Sequence, residues 1–150
     1  MATIYDVSDW FLSKASMIPK KLQKLCYYYK AWGLALYGED FLPSSKFEAW
    51  VHGPVNAKLY RKYKRYYWNE IPQGRDNSKK FTERELEILK SVWLSYGDMT
   101  RNALEAQTHA EAPYRIARSG AEEYMNSRKV IRNRDMKKYY RELYEANQGE

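Results

Sequence analysis

The 150-residue sequence has little of what disulfide scaffolds and metalloenzymes are built from. Its single cysteine, Cys26, excludes any disulfide within the chain and points to a reducing cytoplasm. Two histidines, His52 and His109, accompany it, and none of the three has the paired spacing of a zinc site. No stretch approaches the roughly 18 consecutive apolar residues that span a bilayer, so no membrane partner is expected. The first ten residues carry Asp6 and Asp9 and lack a basic segment followed by an apolar run, which is not the pattern of a secretory signal. Neither G-x-G-x-x-G nor G-x-x-x-x-G-K-[ST] occurs, so no phosphate-cradling loop and no cofactor are expected. Internal repeats and low-complexity tracts are missing too, and the length suits one domain over residues 1–150.

What the chain does have is aromatic and basic. Fifteen tyrosines and five tryptophans supply much of its 44% hydrophobic content. Such side chains bury a ring while keeping a polar handle, which suits half-buried positions and binding surfaces. The formal charge is +7, and the segment from Pro54 to Lys80, with eight basic and two acidic residues, carries +6 of it. A patch of this kind steers toward an acidic partner, whether nucleic acid or protein.

Apolar spacing predicts a mainly α fold, a helical bundle of six or seven helices with a short β element near 47–51. A first helix is expected from Thr3 to Ala15 with Ile4, Val7, Phe11 and Leu12 inward. The second, Pro19 to Tyr37, has a proline at its first position, Gly38 as a left-handed cap, and one apolar face of Leu22, Leu25, Cys26, Tyr29, Trp32, Gly33 and Leu36. Its lysines fall mostly off that face, and Gly33 suggests close approach of another backbone. Gly53-Pro54 is read as the start of a third helix, Val55 to Tyr67, with Val55, Leu59, Tyr63 and Tyr67 on one side. An exposed loop, 69–80, follows. Thr82 and Glu85 form a capping box for a fourth helix that stops at Gly97. Thr100 caps a fifth, Pro113 begins a short sixth, and a charged last helix spans Arg134 to Ala146 after an irregular stretch, 119–132.

Catalytic chemistry finds little support. Cys26 sits mid-helix on an apolar face, where a thiol is packed rather than activated. His52, His109 and Glu111 fall in two less generic stretches, 49–55 and 108–114, where they either bind a ligand or hold loops by bonding free backbone groups at helix ends. From Lys58 to Trp68 basic residues alternate with rings. Single-stranded nucleic acid would use such a surface, with binding that weakens steeply as salt rises. The other reading is a helix with its tyrosines in the core and its cations in water.

In order along the chain, Leu22-Gln23-Lys24-Leu25 running into Tyr28, then Trp32, Trp50, His52, Gly53-Pro54, Thr108-His109, Glu111 and Pro113-Tyr114 resemble the Panacea domain, the family of Soc-type antitoxins and related phage-associated proteins. The resemblance covers residues 18–118 and leaves 119–150 as a charged helical extension. Two departures stand out: Ile18 occupies a position often held by a Thr or Ser cap, and Tyr114 one where tryptophan is common. The resemblance implies a non-enzymatic antitoxin that binds a cognate protein toxin encoded by the adjacent gene. The motif residues would then build the scaffold, and Lys58, Arg61, Lys62, Lys64, Arg65, Tyr66 and Trp68 are the candidates for partner contact. A nucleic-acid-binding role for residues 54–80 is the alternative.

Overall fold

The computed structural model describes residues 1–148. These form seven α-helices and one antiparallel hairpin: α1 (Ile4–Lys14), α2 (Pro19–Tyr37), β1 (Glu48–Trp50), β2 (Gly53–Val55), α3 (Ala57–Tyr63), α4 (Glu83–Tyr96), α5 (Arg101–Ala110), α6 (Ala112–Arg118) and α7 (Asn133–Gln148). The fold is mainly helical, as the spacing predicts.

Helix α2 has the expected ends. Pro19 opens it with no side-chain cap from Ile18, and Gly38 closes it at φ 66°, its N–H donating to the Leu34 carbonyl. Its surroundings differ from the expectation of one buried face. Helices α1, α4, α5 and α7 and strand β2 all pack against it, so thirteen of its nineteen residues are buried. Lys24 and Lys30 are among them, because neighbours packed around most of the helix leave little solvent face for its cations. Gly33 does admit a close approach, but of a side chain: a Cβ there would stand 2.7 Å from the Phe41 ring.

The helices around α2 start where their caps place them. Thr3 and Asp6 form a capping box for α1, Thr82 and Glu85 one for α4, and the Thr100 side chain accepts from the Ala103 N–H at 3.1 Å. The loop before α4 is tied to α1 and to the connection after it: the Trp10 indole donates to Ser78 at 3.1 Å, and Met17 and Ile71 pair as a β-bridge.

Residues 53–67 depart most from the sequence reading. Gly53–Val55 is a second strand and not a helix start, with Glu48 opposite Val55 and Trp50 opposite Gly53. Gly53 sits at φ 119°, which its missing side chain permits. Helix α3 begins only after Asn56, whose side chain accepts from the Leu59 N–H at 3.0 Å. It ends at Tyr63 in a 3-10 turn, Lys64–Tyr66. Tyr67 then takes φ 50° and, instead of facing inward, is 76% exposed.

A polar knot ties the core together. The carboxylate of Glu111, 2% exposed, accepts from Tyr28 at 2.8 Å, Tyr140 at 2.7 Å and Gln107 at 3.1 Å. Burial holds its pKa above the usual carboxylate range, while those three bonds favour the charged form. Tyr140 lies on α7, Tyr28 on α2 and Gln107 on α5, so one carboxylate joins three helices.

Cys26 is fully buried in the same core, and burial pushes its thiol pKa far up. Thiolate is the reactive form. A thiol reagent such as Ellman's should therefore leave Cys26 unmodified in the native protein and react fully in 6 M guanidinium. Rapid native labelling would contradict this packing.

Candidate functional site

Several motif residues that are far apart in sequence, Gln23, Lys24, Gly53 and Thr108 among them, converge where the N-terminal half of α2 meets the hairpin and α5. Gln23 grips the backbone of Asn56 twice: its Nε2 donates to the carbonyl at 3.0 Å and its Oε1 accepts from the N–H at 2.8 Å. Asn56 in turn donates to the Lys46 carbonyl at 2.9 Å and caps α3. Gln23 thereby sets where α3 begins.

The next residue, Lys24, runs beneath the hairpin. A Cβ at position 53 would meet its Cε at 2.9 Å, and its Nζ and the Thr108 Oγ1 at 3.2 Å each. Glycine is thus required at 53 twice, for its φ and for the room that Lys24 takes. The Lys24 side chain is 1% exposed, and burial, helped by the neighbouring Lys20 charge, brings its pKa down to about 7.

On the other side of the hairpin, Tyr114 donates to the carbonyls of Trp50 and Val51, and its ring stacks on His109 at 4.7 Å and 4°. Arg118 donates to the Ala49 carbonyl at 3.1 Å. These bonds hold the hairpin on α6. Burial lowers the pKa of His109, which favours its neutral form. His52, by contrast, is exposed at the turn, its Nδ1 3.1 Å from Glu105. Neither histidine bonds to Cys26.

Above Lys24 opens a groove of about 310 Å³. Lys24 and Gln23 line its base, Trp50 and Tyr60 one wall, Tyr67 and Trp68 its outer rim. Trp50 and Tyr60 meet edge to face at 4.8 Å, while Trp68 is 63% exposed. Lys20 and Arg101 lie over the Trp68 ring, 5.8 and 4.7 Å from its centre. Lys20 also forms an ion pair with Glu105.

Of the seven candidate contact residues, Lys64 and Trp68 line this groove. Lys58, Arg61, Lys62 and Arg65 are exposed outside it, and Tyr66 is half-buried. Lys62 leans on the rings of Tyr5 and Tyr63, and Arg65 on Tyr66. Sequence reasoning did not single out Lys20, Tyr67, Glu105 or Asn126 for this site. Each becomes part of it only through tertiary packing, as when the Asn126 side chain, from the irregular 119–132 stretch, accepts from the Val51 N–H at 3.0 Å. Trp32 and Pro113 serve elsewhere: the Trp32 indole donates to the Tyr96 hydroxyl at 2.9 Å, and Pro113 starts α6.

Among the described residues no group of three or more His, Cys, Asp or Glu is placed to hold a metal ion. No helix among them is long and apolar enough to cross a membrane.

A family model described as "Antitoxin SocA-like, Panacea domain" matches residues 22–115. That range contains every motif residue discussed above and most of the groove, of which Pro19, Lys20 and Asn126 lie outside it. No curated protein and no solved structure matches the chain.

Proposed function

The chain belongs to the SocA-like antitoxin family with the Panacea domain, and on that premise we propose that it is a cytoplasmic, non-enzymatic antitoxin that neutralises a protein toxin by binding it directly. Family membership is the observation that carries this reading, and the surface agrees with it. An exposed tryptophan and tyrosine at the rim of an apolar groove, flanked by cations, are the residue types that dominate protein interfaces. The motif residues themselves are largely occupied in holding the hairpin and α3, as Gln23 and Tyr114 are, and so build the frame for that surface.

Residues after 115 complete this frame. Segment 127–131 runs along β1, with the Ile131 N–H donating to the Phe47 carbonyl at 2.8 Å, and α7 covers α2. A toxin partner thus meets a fully packed unit.

Co-expression tests the reading. The product of the adjacent gene, induced alone, should arrest growth, and co-induction of this chain should restore it. A neighbour that is harmless, or that kills equally well with this chain present, would refute the proposal.

A further inference from the structure

Lys24 and Lys30 are both buried lysines of α2, and they are satisfied very differently. The Lys30 ammonium, 3% exposed, contacts both oxygens of Asp40 at 2.9 and 2.8 Å and the Leu42 carbonyl at 2.8 Å. Its three donors are used. The Lys24 ammonium, more deeply buried, makes one long bond, 3.3 Å to the Lys20 carbonyl. No carboxylate lies within ion-pair distance of it among the described residues. Glu105 is close enough for its charge to favour protonated Lys24, but it is held by Lys20 and His52. An ammonium with three donors and one weak acceptor, enclosed by protein, is costly unless an anion completes it.

The place where an anion can reach it is the groove. Lys24 lines its base, and Val55, Trp50, Tyr60, Tyr67 and Trp68 give it mainly apolar walls, with His52, Asn126 and the cations Lys20 and Lys64 also bordering it. Tyr67 is the only non-glycine residue with positive φ among the described ones, and the 3-10 turn before it holds its exposed ring at the rim. The charge of the whole chain, +7, favours an acidic visitor. We propose that this groove takes an extended segment of a partner protein, an Asp or Glu side chain of which reaches the Lys24 ammonium while a neighbouring apolar side chain packs between Trp50 and Trp68.

Resting on the antitoxin reading for its choice of a protein partner, the inference also has support of its own against nucleic acid. Most of the cations a phosphate backbone would follow, Lys58, Arg61, Lys62 and Arg65, stand outside the groove; Lys20 and Lys64 border it, and the one cation at its base, Lys24, is a single point behind mainly apolar walls. That geometry meets one carboxylate on a side-chain tether better than a chain of phosphates.

The test is a displayed random-peptide library selected on the full chain, followed by calorimetry with the best synthetic peptide. The selected peptides should share one Asp or Glu beside an apolar residue. Changing that acid to its amide should weaken binding at least 10-fold, and Lys24→Met should do the same while melting no lower than the parent. In the Lys24→Met background the acid-to-amide change should cost less than 2-fold, since the partner it loses is already gone. Trp68→Ala, at an exposed position, should weaken the same peptide about 10-fold with an unchanged melting curve.

Peptides without a shared acid, an empty selection, or an acid-to-amide effect that persists in full with Met at 24 would overturn the groove assignment. So would displacement of the peptide by a dT12 oligonucleotide at low salt with no dependence on Lys24. If neutralisation of the neighbouring product succeeds while this coupling is missing, the groove assignment alone falls. If the coupling is found and neutralisation fails, the antitoxin reading alone falls.

Discussion

Tyr140→Ala should destabilise the protein by about 3–5 kcal/mol, the cost of removing a large, fully enclosed aromatic side chain. Tyr140 packs edge to face against Tyr27 and Tyr28, lies 5.3 Å from the Trp32 ring, and donates to Glu111. Its loss opens a cavity between α7 and α2 and leaves a buried carboxylate with two donors in place of three. For a chain of this length each kcal/mol moves the melting temperature by roughly 2–4 °C, so the midpoint should fall by about 10 °C. Tyr140→Phe keeps the ring and should cost only about 1–2 kcal/mol, the share of the hydroxyl. Urea melts of the two variants against the parent measure both. Near-parental stability for Tyr140→Ala would mean that α7 does not close the core.

Lys24→Met should have the opposite sign. Burial holds the folded pKa of Lys24 at about 7, well below the 10.5 of an unfolded lysine. Between these values the unfolded chain binds more protons than the folded one, so stability rises with pH through this window, and below about pH 7 the full penalty of the enclosed ammonium remains. That penalty is on the order of 4 kcal/mol at pH 7, and about 3 kcal/mol of it should disappear by pH 9.5. The methionine variant has a similar shape and no charge. It should be more stable than the parent at pH 7, and the difference should shrink steadily toward pH 9.5. Lys21 and Lys30 also have lowered pKa values and the buried tyrosines raised ones, but both chains share them and they cancel in the difference. A parent-minus-variant difference that stays flat with pH would show that Lys24 is not held in this way.

How far the fold could be read from the sequence depended on how each element is marked. Helix α2 was legible to the residue because Pro19 and Gly38 mark its ends by backbone chemistry, and α4 because Thr82 and Glu85 form a reciprocal cap. Which sides of α2 are buried was not legible. Periodicity assumes a solvent face, and a central helix carrying Lys24 and Lys30 inward has almost none. The hairpin was hidden for another reason. Its two-residue turn, Val51-His52, lacks the Asn-Gly type of signal, and Gly53-Pro54 reads equally well as the opening of a helix. The early end of α3 was hidden as well: the i, i+4 spacing continues from Tyr63 to Tyr67, but the 3-10 turn at Lys64–Tyr66 breaks the helix and turns Tyr67 out to the rim.

The candidate site was legible only in pieces. Gln23, Lys24, Gly53 and Thr108 were recognisable as members of an ordered family pattern, yet nothing in their spacing says that Gly53 leaves room for Lys24 or that Gln23 sets the cap of α3. The groove draws on α2, the hairpin, the turn after α3 and the irregular stretch at Asn126, segments that meet only after folding. The basic run from Lys58 to Arg65 was conspicuous in the sequence, but of its cations only Lys64 borders the groove.

The central claim is direct binding of a toxin, and titration calorimetry with the purified product of the adjacent gene, in an inactivated form if needed, tests it most directly. The account predicts saturable, stoichiometric binding that Trp68→Ala weakens at least 10-fold without changing the melting curve of this chain. Relief of toxicity in cells with no detectable complex between the purified proteins would contradict it.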